Sequence, residues 1–218
     1  MDHAQRVVDL LMEKREARAA EVAREIEEMN QQRREVDEKT TADALAQLET
    51  SKAGQFVNIV HGRDWHRGVV GIVASRMIEQ RYRPSIVLSE ADGHLIGSAR
   101  SVDGIDIHQA LEDCSDLLQQ FGGHTMAAGL SLKVEHLAEF KTRLNQAIAK
   151  QSNDVLPKPV VRCDREVRIS ELSLEAWNEL QQLEPFGPGN PTPVFILRNV
   201  VCVRRPRTIG NQGRHLKI

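Results

Sequence analysis

The sequence predicts an α/β protein in three parts: a helical N-terminal segment, a central unit of alternating strands and helices with a mixed sheet, and a β-rich C-terminal segment. Three observations carry this reading. Residues 2 to about 50 contain no Gly and no Pro. From Gly54 to about residue 150, strand-like and helix-like runs alternate, the pattern of an α/β layer. After a polar, proline-bearing stretch, residues 194–203 are rich in β-branched side chains, which favour strands.

The elements follow in order. Val22, Ile26, Met29 and Val36 keep helical spacing. Arg24 and Glu28, Arg34 and Glu38, and Glu35 and Lys39 are opposite charges four apart, which meet on a helix surface. One long helix or two in tandem follow, with an apolar stripe so narrow that the segment reads as a solvated strut. A coiled coil is the rival, but no sustained heptad is visible. Residues 56–60 read as a strand and 69–81 as a helix. Residues 86–89 form a second strand, Asp92-Gly93 a hairpin turn, and 94–100 a third strand. Asp106 can cap a helix from Ile107 to about Gln120. GGHTMAAG follows, then a short strand at 130–132 and a helix at about 135–149.

Residues 151–159 are polar and hold two prolines, the composition of a linker. Beyond them, 160–167 and 194–203 read as strands and 174–183 as a helix, with PFGPGNPTP a rigid turn region between. The chain ends on HLKI, the start of another strand, so a piece of a longer protein is expected. The expected division is 1–50 helical strut, 51–150 α/β unit, 151–159 linker and 160–218 partial β domain.

Composition excludes several classes. The chain of 218 residues is 40% hydrophobic and 28% charged, suited to a folded water-exposed protein. No apolar run approaches the roughly 20 residues of a membrane span. The start MDHAQRVVDLL is no secretory signal. Cys114, Cys163 and Cys202 are scattered, which argues against a disulfide framework and points to a reducing cytoplasm. Residues 1–50 carry 8 basic and 13 acidic side chains, whereas 192–218 carry 6 basic and none acidic. That C-terminal stretch suits phosphates, with a solvated strand face as the alternative. No histidine, cysteine or carboxylate spacing matches a metal site, and no G-x-S-x-G elbow appears.

Three motifs hold the chemistry. WHRGVVG, residues 65–71, lies between a strand and a helix. Its glycines let backbone approach a ligand, the helix N-terminus suits an anion, and His66 and Arg67 add donors. Tight packing is the alternative. GSARS, residues 97–101, puts Ser98 and Arg100 on one face if extended. A hydroxyl beside a guanidinium makes an oxyanion clamp; a solvated surface arginine is the alternative. In FGGHTMAAG, residues 121–129, two glycines permit a turn that presents His124 to a phosphate or a proton. A structural histidine is the alternative.

In this order and spacing, HRGVVGIVASR, GSARS and GGHTMAAG resemble the DHH-associated domain of the DHH phosphoesterase superfamily, in the version found in the RecJ family of 5′-to-3′ single-stranded-DNA exonucleases. LEPFGPGNPTPVF and IGNQGRHLKI resemble the beginning of that family's oligonucleotide-binding (OB) domain, and residues 1–50 its connector. The resemblance covers the chain from end to end. It implies a hydrolase of DNA repair and recombination whose partners are single-stranded DNA and other repair proteins. It implies Ser98, Arg100, Gly122 and Gly123 as substrate-binding, with His66, Arg67 and Arg76 as weaker members of that set. His124 is the implied catalytic residue, near the scissile phosphate. GSARS and GGHTMAAG are expected to face one another across a shallow basic cleft. Phe186 and Phe195 are candidates for base stacking, or for core.

The family's Asp-His-His motif is missing: Asp2-His3 is followed by Ala4. Manganese or magnesium is therefore expected on a domain this sequence lacks, with no metal ligand and no cofactor in the sequence itself. A stand-alone single-strand-binding module and a phosphoesterase of small nucleotides are the alternative functions.

Overall fold

The computed structural model describes residues 2–50, 55–201, 203, 205–209 and 215–217. The chain divides into two units, Met1–Pro159 and Val160–Ile218.

In the first unit, α1 (Asp2–Met12) folds back beside α2 (Glu16–Thr50). With no Gly or Pro to break it, α2 runs for 35 residues. Within the described helical segment the ion pairs are Arg15–Glu13, Arg18–Glu21 and Arg6–Glu25, the last tying α1 to α2. They replace the three spacing-based pairs expected from the sequence. All are solvent-facing and worth little. What anchors α2 is its C-terminal half, where Ala44 and Leu48 are buried together with Asp37, Thr40 and Thr41.

A five-stranded sheet follows, in the order β1-β2-β3-β5-β4. Its strands are β1 (Asn58–Arg63), β2 (Ser85–Ala91), β3 (His94–Arg100), β4 (Leu118–His124) and β5 (Ala127–Lys133). β1 and β2 pair parallel across α3 (Val70–Gln80), and every other pairing is antiparallel. The mixed sheet expected from sequence is thus present. The β2–β3 hairpin turns on Asp92 (φ 51°) and Gly93 (φ 76°), the two positive φ angles of a type I′ turn.

The two faces of the sheet are treated differently. On one, Ile86, Leu88, Leu95, Ala99, Leu130 and Leu132 pack on Ile107, Leu111, Phe140, Leu144 and Ile148, from α4 (Ile107–Glu112) and α5 (Leu137–Gln151). On the other, Val60 and Val87 pack on Val70, Val73, Ala74 and Met77 of α3, with Ala44 and Leu48 of α2 behind them. This second layer covers β1, β2 and part of β3. On β4 and β5 the same face bears Gly122, His124 and Gly129, all exposed.

The expected helix from Ile107 to about Gln120 is a correction. Asp106 does cap it, its carboxylate accepting from the Gln109 N–H at 3.0 Å, but α4 ends at Glu112. After a single 3₁₀ turn at Ser115–Leu117, the chain becomes β4. Leu111, Cys114, Leu117 and Phe121 keep helical spacing, yet pairing with β5 prevails. Likewise GGHTMAAG is the tip of the β4–β5 hairpin rather than a loop before a short strand.

In the second unit, β6 (Arg165–Glu166) pairs parallel with β7 (Phe195–Ile196), and β8 (Arg207–Ile209) antiparallel with β9 (His215–Lys217). Helix α6 (Leu174–Gln181) is capped by Ser173, whose Oγ accepts from the Ala176 N–H at 3.1 Å. Among the described residues, the strands expected at 160–167 and 194–203 shrink to two residues each. Val160, Val161, Val200 and Val201 stay exposed, because β-branched side chains hold a strand only where a neighbour pairs and packs. Cys202 and residues 210–214 of the expected IGNQGRHLKI element lie outside the described residues. Among the described residues no helix is long and apolar enough to cross a membrane.

Gly97 permits the tight β2–β3 approach: a Cβ there would lie 2.0 Å from the Val87 carbonyl oxygen and 2.9 Å from the Leu88 Cα. Both obstacles are backbone and cannot swing aside. Gly97→Ala is expected to destabilise the first unit by about 1–3 kcal/mol, as overpacking does. Urea unfolding checks this, and an unchanged midpoint would refute the tight approach.

Candidate nucleic-acid interface

Strand register brings the sequence motifs together. Arg100 pairs with Ala127, which pairs with His124. One step along, Ser98 pairs with Gly129, which pairs with Gly122. Directly paired residues point to the same side of a sheet, so Arg100, Ser98, Gly122 and His124 share one face. It is the face on which α3 packs, which is bare over β4 and β5. Two interstrand steps separate Arg100 from His124, or roughly 10 Å. The motifs therefore do not confront each other across a cleft. They lie side by side on one surface, with β5 as the floor between.

Helix α3 borders that floor. Its N-cap, Val69, offers no side-chain cap. The first N–H groups of a helix have no partner within the helix and carry partial positive charge. Arg100 reaches over this turn. A Cβ on Gly71 would lie 2.8 Å from its Nη2 and 3.5 Å from the Ser98 Oγ. Guanidinium, hydroxyl and helix N-terminus thus converge. The Arg100 Nη1 also donates to the Ala99 carbonyl at 2.8 Å. Gly122 and Gly129 supply a floor without side chains, and a Cβ on Gly122 would meet nothing within 4 Å. Such a surface can seat an anion against donors while its neighbouring groups lie flat on backbone.

Gly123 serves differently. It alternates to the opposite side of β4, at φ 150°, where a Cβ would come within 2.3 Å of the Ala127 carbonyl oxygen. It closes the hairpin rather than lining the exposed face.

The remaining expected residues do not lie on that sheet face. His66 is exposed in the turn before α3, its Nδ1 accepting from the Gly68 N–H at 3.0 Å. It lines a groove of about 470 Å³ against Val7, Ile26, Met29 and Val36 of α1 and α2. Arg67 is exposed in the same turn. Arg76 is occupied structurally. Its Nη2 lies 2.6 Å from the Asp37 carboxylate, which also accepts from the Thr41 hydroxyl at 3.3 Å. That ion pair joins α3 to α2. Gly71, Gly129 and the residues that hold the hairpin tip are not among the expected site residues. WHRGVVG marks Gly71 as a place of close approach, but what approaches is the Arg100 side chain, and only the tertiary pairing reveals it.

Among the described residues no three His, Cys, Asp or Glu side chains converge as a metal site would require. The described donors do not fit a manganese or magnesium centre.

The DHHA1 domain family model matches residues 49–150, and the RecJ OB domain model matches residues 163–218. The chain is 36% identical to the single-stranded-DNA-specific exonuclease RecJ of Bacillus subtilis over 100% of its own length and 28% of the relative's. With the Haemophilus influenzae RecJ it shares 33% identity over 97% of its length and 38% of the relative's. It thus spans between about a quarter and two fifths of these proteins. The crystal structure of RecJ in complex with Mn2+ from Thermus thermophilus superimposes with a TM-score of 0.76 at 30% identity, covering 98% of this chain and 31% of that one. A chain that joins a DHHA1 domain to a RecJ OB domain, and aligns with RecJ proteins along its whole length, belongs to the RecJ family.

Proposed function

We propose that this chain is the strand-holding portion of a single-stranded-DNA-specific 5′-to-3′ exonuclease of DNA repair and recombination. One observation carries the proposal: Arg100, Ser98 and the uncapped N-terminus of α3 meet beside the bare half of the sheet, in register with His124. Each component favours a phosphate oxygen. The guanidinium provides a planar pair of N–H donors, the hydroxyl one more, and the helix N-terminus further N–H groups. The strand's terminal 5′ phosphate is the proposed occupant.

His124 then stands on the same face, roughly two strand spacings from Arg100. It is the proposed catalytic residue, at the scissile phosphodiester, where an imidazole N–H can donate to an oxygen that gains charge. Gly122 and Gly129 leave room for the sugar-phosphate chain between the two. Divalent metal of the kind bound in the Thermus structures is proposed to be held outside this chain. Single-stranded DNA is the proposed partner, with other repair proteins secondary, and the cytoplasm the proposed compartment.

Arg100→Ala is expected to weaken binding of 5′-phosphorylated single strands by about 1.5–3 kcal/mol, the worth of hydrogen bonds to charged groups. The loss should be alike for all base sequences, because phosphate contacts carry no sequence information. Gly71→Ala should reproduce part of it without unfolding the chain, since alanine suits a helix and only the arginine tip must move. Fluorescence anisotropy with matched oligonucleotides checks both. Unchanged binding, or loss confined to some sequences, would count against the assignment.

The chain alone is expected to hydrolyse no labelled oligonucleotide in manganese. Hydrolysis assisted by metal requires ligands that hold water and leaving oxygen together. Its binding should weaken steeply with salt as counterions are released. Metal-dependent digestion that persists in an Asp2→Ala, His3→Ala double variant would show the active site to be misplaced.

A further inference from the structure

The tip that presents His124 is held from outside its own hairpin. Its turn consists of Thr125 and Met126, and segment 101–107 runs alongside. The Ser101 N–H donates to the Met126 carbonyl at 2.9 Å, and the Ile107 N–H to the Thr125 carbonyl at 3.0 Å. One bond joins side chain to side chain: the Thr125 hydroxyl donates to the Asp106 Oδ2 at 3.2 Å.

Asp106 is itself unusually well fixed. Its Oδ1 accepts from the Gln109 N–H at 3.0 Å, capping α4. The Gln151 side-chain amide, at the end of α5, grips its backbone on both sides. Gln151 Oε1 accepts from the Asp106 N–H at 2.8 Å, and Gln151 Nε2 donates to the Asp106 carbonyl at 3.0 Å. The Gln109 amide first, and the Thr125 hydroxyl after it, hold the Asp106 carboxyl below its ordinary range. The acceptor facing Thr125 is a carboxylate at neutral pH, and the contact, 3.2 Å long and open to solvent, orients the tip more than it stabilises it.

We infer that Asp106 is a positioning residue for His124: through the Thr125 hydroxyl it transmits the fixed ends of α4 and α5 to the hairpin tip and sets the direction of the imidazole. The neighbouring backbone bonds set where the tip lies. The carboxylate–hydroxyl bond resists its rolling about the strand axis, the motion that would swing the adjacent His124 side chain off the bare face. The inference rests on the proposal that His124 meets DNA, and it also predicts how the free protein behaves.

The discriminating variant is Thr125→Val, which deletes the hydroxyl, keeps the shape and leaves the Asp106 cap intact. Thr125→Ser restores the donor. Two measurements on the whole chain separate the outcomes. In the absence of DNA, NMR couplings that report the His124 side-chain rotamer should show a single orientation in the parent and in Thr125→Ser, and averaging in Thr125→Val. In binding to 5′-phosphorylated oligothymidylate, Thr125→Val should cost about threefold, the population factor when one productive rotamer becomes one of three. That cost should vanish in a His124→Ala background, as coupled sites require. A general structural defect would instead persist in that background, and would overturn the inference. So would an unaveraged His124 rotamer in Thr125→Val. If His124→Ala alone leaves binding unchanged, the DNA-contact reading of His124 falls, and the rotamer measurement decides the positioning role by itself.

Discussion

The register of β3, β5 and β4 is the constraint on which the site depends. Side chains of a strand alternate between faces, so a slip of one residue would send every group to the other side. With Arg100 opposite Ala127 and Ala127 opposite His124, the polar members of two distant motifs appear together on one face, from the first turn of α3 to the uncovered strands β5 and β4. A one-residue slip of β3 would turn Arg100 toward the buried Leu130 and Leu132 and expose Leu95. The apolar face therefore enforces the polar one.

Glycines let that register exist at close quarters. Gly97 lets β3 approach the β2 backbone, Gly123 lets the hairpin close on Ala127, and Gly71 leaves the space in which the Arg100 guanidinium lies. The first two obstacles are backbone atoms and the third is a side-chain tip. Substitution at Gly97 or Gly123 would thus strain the fold, whereas substitution at Gly71 would chiefly displace the arginine. The same residue type serves stability at two positions and ligand geometry at the third.

Much of this was legible in the sequence where local chemistry decides. The N-terminal helices, the Asp92-Gly93 turn, the Asp106 cap and the 94–100 strand all follow from side chains near in sequence. The family follows from motif order. Local pattern misled where distant partners decide. Residues 114–121 keep helical spacing yet form a 3₁₀ turn and then a strand, because pairing with β5 outweighs periodicity. Arg76, implied by the resemblance as substrate-binding, pairs instead with Asp37, 39 positions earlier. The valines at 160, 161, 200 and 201 carry strand propensity with no neighbour to satisfy it.

Ser98, Arg100 and His124 are proposed to act as one phosphate-holding face. Titrating the isotope-labelled chain with 5′-phosphorylated oligothymidylate and following backbone amide shifts tests this most directly. Gly71, Ser98, Arg100, Gly122, His124 and Gly129 should shift together along one binding curve, and the shifts should weaken when the 5′ phosphate is removed. Shifts concentrated around His66 and the α1–α2 groove, with the sheet face silent, would contradict a shared phosphate-holding face.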